Sequence, residues 1–230
     1  VRSTAFTFGT LLSLYLLGCA AGSLAGSGLV ARVKRPLWAF LFFQCLLLAW
    51  SAGAILLIAR LPPDTPVLAY FDEAWRTTRS VRLGRDTDLG RLAATYLGLP
   101  ALIFGVPTVL MGLSFPVLQR AVQDDVRTSG RKVGLLQAAN IAGCIVGSLL
   151  VGLVLLDWIG TAGSFRLLAG VGVLFSGLGI RFYGWRSAFL PLAVALVGLV
   201  FGLPEGDRLW ARLHGSTREA ILVDEDATGV

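Results

Sequence analysis

Residues 3–31 read STAFTFGTLLSLYLLGCAAGSLAGSGLVA and contain no charged side chain. Uncharged stretches of similar length recur at residues 36–59, 92–119 and 133–156. The hydrocarbon layer of a bilayer is about 30 Å thick, and roughly 20 apolar residues of helix cross it. Each of these stretches is long enough to do so, and the sequence therefore predicts a membrane domain.

The composition favours the same class of protein. Of the 230 residues, 55% are hydrophobic and 15% are charged, and the mean hydropathy is +0.75. A soluble domain carries about 25% charged residues. Because lipid offers no hydrogen-bond partner to the backbone, spanning segments are helices or closed barrels, and barrel strands alternate in polarity. The apolar runs here are continuous, which favours helices.

The charged and sulfur-bearing residues indicate no nucleic-acid, disulfide or metal site. The net charge is +6, but the basic residues lie mostly between the apolar runs, where positive loops beside a bilayer account for them. Cys19, Cys45 and Cys144 all fall inside apolar runs. Their odd number and their placement predict packing residues.

We predict an all-α fold, a polytopic transmembrane bundle of about six helices in residues 1–204. The helices are placed at residues 5–30, 37–58, 93–118, 133–156, 163–180 and 187–203. Arg166 lies in the first turn of the fifth helix, where its aliphatic stem would let the guanidinium reach the headgroups.

Residues 205–230 are predicted to be a linker and the first strand of a soluble domain. Residues 205–216 could form a short amphipathic helix, whereas residues 220–226 read as a strand followed by an acidic turn. A lone strand has nothing to pair with and is not stable in water. We therefore expect the soluble domain to continue beyond Val230.

Small residues lie at regular spacing in two predicted helices. The first carries Gly18, Gly22 and Gly26, and the fourth carries Gly143 and Gly147. Glycines four residues apart make a smooth helix face that another helix can approach closely. We interpret both sets as packing surfaces rather than as the walls of a ligand path.

The third predicted helix contains the segment PTVLMGLSFP at residues 107–116, which begins with Pro107, ends with Pro116 and includes Met111 and Gly112. Proline has no N–H to donate, so each proline frees a backbone carbonyl and bends the helix. Hydroxyls or neighbouring helices must then satisfy the carbonyls. Thr108 and Ser114 are the candidates within the segment.

Polar amides lie at membrane depth, at Gln44 in the second predicted helix and at Gln137 and Asn140 in the fourth. An amide in lipid is expected to bond to a neighbouring helix. We favour this structural role for Asn140 over contact with a substrate.

The residues offer no catalytic, cofactor-binding or metal-binding site. The one histidine, His214, lies in the polar tail, and no glycine-rich nucleotide loop or nucleophile elbow is present. The four longest apolar runs contain no acidic residue. Proton or ion pumping ordinarily needs such residues within the membrane.

Three segments resemble a known family. Residues 107–116, the stretch GLLQAANIAGC at residues 134–144, and the glycine-rich first helix with its basic turn at residues 32–36 resemble the membrane domain of spermidine synthase-like proteins. These are polyamine aminopropyltransferases with an N-terminal transmembrane domain. Residues 221–230 resemble the opening strand of their synthase domain.

The resemblance implies an anchor for a catalytic domain that lies downstream. The parent protein would move an aminopropyl group from decarboxylated S-adenosylmethionine to a diamine such as putrescine. The chain departs from the family in lacking a hydrophobic helix before residue 5, and the catalytic residues would lie beyond Val230, so none is transferred here. The expected partners are the bilayer, the chain's own synthase domain, and a second copy or a membrane complex. The expected location is the bacterial cytoplasmic membrane.

Orientation and two rival functions stay open. The basic cluster at residues 32–35 places the first loop inside the cell, which for six helices leaves the C-terminus outside, whereas a synthase domain needs a cytosolic co-substrate. One rival function is a major-facilitator-like transporter half with a path lined by Gln44, Gln137 and Asn140. The other is a structural subunit of a larger membrane complex.

Overall fold

The computed structural model describes residues 5–62, 65, 97–98, 100–123 and 126–213. These residues form an all-α bundle, which confirms the predicted fold class, and no strand occurs among them. The helices are α1 (Ala5–Val30), α2 (Pro36–Arg60), α3 (Val106–Val122), α4 (Val126–Leu150), α5 (Leu156–Tyr183), α6 (Phe189–Gly202) and α7 (Gly206–Leu213). Two π-helical turns, Ala101–Gly105 and Val151–Leu155, precede α3 and α5.

Four helical segments are long and apolar enough to cross a membrane: Phe8–Val30, Pro36–Arg60, Ala101–Val122 and Arg127–Tyr183. Their most apolar parts have mean hydropathies between 1.6 and 2.3. The shorter helix α6 is also apolar. These lengths and compositions are those of an integral membrane protein.

The helix boundaries differ from the prediction around α4 and α5. The fourth helix starts at Val126 rather than at residue 133. Its first two turns are charged and therefore lie outside the apolar run from which the start was predicted. The expected boundary between the fourth and fifth helices, at residues 157–162, is present as a break in the helix rather than as a loop. Helical structure continues through a π-helical turn into α5 and is interrupted at Gly160, whose φ of 63° favours glycine.

Some predictions fall outside the described residues. Residues 93–96 of the expected third helix and the expected strand at residues 220–226 are among them. Within the described part, the third helical segment is continuous from Ala101 to Val122. The amphipathic segment after the bundle forms α7.

The core of the bundle lies where α2 packs against α5 and α6, while its other side contacts α3. Phe189 starts α6 and is fully buried among aromatic rings. Its centroid lies 5.7 Å from Trp38, 6.5 Å from Phe42 and 6.2 Å from Tyr183. The remaining buried members of the core are Leu41, Cys45, Leu48, Ala52, Ala169, Leu196 and Leu203.

Candidate functional site

The three glycines of α1 lie against α3, and we call this contact the α1–α3 seam. A methyl group built onto any of them would contact α3 too closely, which shows that the two backbones approach each other directly. The methyl would lie 2.8 Å from Thr108 Cβ at Gly18, 3.0 Å from Gly112 Cα at Gly22, and 3.2 Å from Pro116 Cγ at Gly26.

Gly112 is the matching glycine of α3. It is buried, and a methyl group built there would lie 2.8 Å from the backbone nitrogen of Ser23 and 2.9 Å from Gly22 Cα. The glycine stripe of α1 and the proline-bounded segment of α3 are therefore two sides of one contact. Met111, next to Gly112, faces outward and is 39% exposed.

The seam also satisfies the carbonyl that Pro116 leaves free. In an α-helix the N–H of residue 116 would donate to the carbonyl of Gly112, but proline has no N–H. The hydroxyl of Ser23, on α1, instead donates a long hydrogen bond of 3.4 Å to the Gly112 carbonyl. A neighbouring helix thus supplies the donor that α3 lacks.

Pro107 is accommodated in a similar way by α2. The turn before it is π-helical, and in that pattern the carbonyl of Leu102 would accept from residue 107. The indole nitrogen of Trp50 donates to this carbonyl at 2.9 Å. Each proline of α3 is therefore matched by one donor from a different helix, Ser23 from α1 and Trp50 from α2.

The two hydroxyls within the segment bond to other carbonyls of the same helical segment. Thr108 donates to Gly105 O at 3.0 Å, and Ser114 donates to Leu110 O at 2.6 Å. Both side chains are buried. The two hydroxyls thus find acceptors within their own helical segment, whereas the two carbonyls freed by the prolines accept from side chains of other helices.

Helix α4 presents the opposite situation. Gly143 and Gly147 have open space where a Cβ would stand, so no described helix packs closely on this face. Gln137 and Asn140 are exposed and have no hydrogen-bond partner among the described residues. Among the described helices α4 makes few contacts, although Cys144 comes near Tyr15 of α1.

A second stripe of small residues, which the sequence reading missed, lies on α5. Buried Ala169, Gly172, Ser176 and Gly179 are spaced three, four and three residues apart and face α2 and α6. A methyl group on Gly179 would overlap the ring of Phe189. The Ser176 hydroxyl donates to Cys45 Sγ at 3.3 Å. The spacing itself was the signal that could have revealed this face.

Arg166 also has a role that the sequence did not indicate. Its Nη2 donates to the carbonyl of Leu203, the C-cap of α6, at 2.7 Å. The last carbonyls of a helix lack intrahelical donors and carry partial negative charge. The guanidinium thus joins α5 to the end of α6, where a headgroup contact had been expected.

No group of three or more histidine, cysteine, aspartate or glutamate side chains in the described part of the chain could hold a metal ion. One cavity in that part adjoins the α1–α2 turn, and another lies beside the second π-helical turn. Neither is lined by Gln44, Gln137 or Asn140.

Comparisons with protein families, curated proteins and solved structures gave no match.

Proposed function

We propose that this chain is the membrane anchor of a spermidine synthase-like polyamine aminopropyltransferase whose catalytic domain lies downstream, in a bacterial cytoplasmic membrane. One observation carries the proposal. The segment at residues 107–116, on which the resemblance chiefly rests, packs against α1 and receives donors from α1 and α2. Its distinctive residues therefore hold helices together, as an anchor requires.

The exit from the bundle supports the same function. Leu209 of α7 is 2% exposed and packs against Ala59 of α2 and Ala162 of α5. The chain that leaves α6 is thereby fixed to the bundle for two further turns before it continues. A domain attached after α7 would be held close to the membrane surface.

In this proposal the anchor and the catalysis are separate. The synthase domain would bind decarboxylated S-adenosylmethionine and a diamine such as putrescine, and the described helices would supply position alone. The partners are the bilayer and the chain's own synthase domain.

The test uses the complete coding sequence that contains this chain. The complete protein should form spermidine from putrescine and decarboxylated S-adenosylmethionine in the membrane fraction, as measured by product mass. Deletion of residues 1–204 should move this activity to the soluble fraction, whereas residues 1–230 alone should form no product. Absence of aminopropyl transfer by the complete protein, or transfer by residues 1–230, would refute the proposal.

The open face of α4 favours a second candidate function, that of a structural subunit in a larger membrane complex. Lipid offers no partner to an amide, and Gln137 and Asn140 have none in the part of the chain that the structure describes, so a neighbouring protein helix could supply the partners. We expect the chain purified in mild detergent to have the mass of an assembly, and Asn140→Leu to shift it toward monomer. A monomer at all concentrations would exclude this candidate.

A further inference from the structure

A groove of about 490 Å³ lies at the turn between α1 and α2. This volume falls in the usual range for small-molecule sites, roughly 300 to 1,000 Å³. The groove is partly open to the outside and joins the end of one membrane-spanning helix to the start of the next. It therefore lies where a spanning segment meets the headgroup layer.

The polar end of the groove is basic. Lys34 and Arg35 line it, both are exposed, and neither has an ion-pair partner within the described ranges. The first turn of α2 contains no acidic residue that could neutralise them. An arginine guanidinium binds phosphate through two parallel hydrogen bonds, and a lysine ammonium adds a mobile point charge.

The remainder of the groove is apolar. Leu29 of α1 and Val33 of the turn form one side, and Trp38 and Phe43 of α2 form the other. The Trp38 ring is held in place because it stacks on Phe42 with centroids 5.0 Å apart. A soluble anion such as inorganic phosphate would make no use of this surface, whereas an acyl chain would cover it.

We propose that this groove binds one anionic glycerophospholipid, with the phosphate at Lys34 and Arg35 and the start of an acyl chain against Leu29, Val33, Trp38 and Phe43. The charge complementarity selects an anionic headgroup over a zwitterionic one. The apolar walls select a lipid over a free phosphate. The lipid would fix the angle between α1 and α2 at their shared turn. This inference does not depend on the proposed anchor function.

The test is lipid titration of purified residues 1–230 followed by native mass spectrometry. Phosphatidylglycerol and phosphatidylcholine with identical acyl chains are compared. We expect one tightly held phosphatidylglycerol per chain, with phosphatidylcholine bound about tenfold more weakly. Inorganic phosphate in large excess should leave the lipid adduct intact.

The decisive comparison is between two double variants that each lose two positive charges, one in the groove and one away from it. The double exchange Lys34→Gln and Arg35→Gln should weaken phosphatidylglycerol binding about tenfold. The control exchange Arg60→Gln and Arg208→Gln changes two exposed arginines at the opposite end of α2 and in α7, and should leave binding unchanged. If the double variant does not fold, Lys34→Gln alone should weaken binding about threefold.

Three results would overturn the proposal. The first is equal binding of the two lipids, and the second is an equal loss of binding in the control variant. The third is displacement of the lipid by inorganic phosphate, which would identify a phosphate site without lipid selectivity.

Discussion

Phe189→Ala is expected to lower the free energy of unfolding by about 3 kcal/mol. Replacement of a buried phenylalanine by alanine costs about 3–5 kcal/mol in water-soluble proteins. Part of that cost is hydrophobic transfer, which is weaker between helices in lipid, whereas the loss of dispersion contacts around a cavity remains. We therefore expect the lower end of the range.

The reason for a large effect is the completeness of the burial. Phe189 is 0% exposed, and Trp38, Phe42 and Tyr183 surround its ring. On the α5 side the ring rests on Gly179, which offers no side chain to fill the space. A cavity left there cannot collapse without a shift of α6 toward α5.

The same exchange in the same helix provides the control. Phe201 is 83% exposed, so Phe201→Ala should change the free energy of unfolding by less than about 0.5 kcal/mol. Both variants are measured by loss of helicity in mixed micelles of mild detergent and SDS. Equal destabilisation of the two variants would show that the ring cluster does not hold α6 in place.

The sequence predicted the membrane-crossing segments better than it predicted where the helices begin and end. Uncharged runs located the membrane-crossing segments because lipid excludes charge, but charge does not stop backbone hydrogen bonding. For that reason α4 begins in the basic stretch at Val126, seven residues before its apolar run. In the same way, the expected loop at residues 157–162 is reduced to an interruption at Gly160.

The partners of the packing motifs could not be predicted from spacing. The stripes at Gly18–Gly22–Gly26 and at Gly143–Gly147 look alike in sequence, yet the first contacts α3 and the second has open space. A smooth face permits close approach but does not specify what approaches it. The pairing of Ser23 and Trp50 with the proline-freed carbonyls likewise depends on how whole helices are placed.

Gly112→Ala is expected to lower the free energy of unfolding by about 2–3 kcal/mol. In a helix exposed to open space, alanine is favoured over glycine by about 1 kcal/mol, so any loss must come from the contact. The added methyl would meet the backbone of α1 at Ser23 and Gly22, and backbone atoms cannot rotate away as a side chain can. Overpacking of this kind costs about 1–3 kcal/mol, occasionally more.

Separation of α1 from α3 would also stretch the hydrogen bond from Ser23 to the Gly112 carbonyl, already 3.4 Å long, and leave that carbonyl without a donor. Gly143→Ala is the matched control, since it makes the same change on α4 in open space. It should leave the stability unchanged or raise it by up to about 1 kcal/mol. Both are measured by the SDS midpoint of helicity loss. If Gly112→Ala were as stable as Gly143→Ala, the two backbones would not be in contact, and the seam would not be what joins α1 to the bundle.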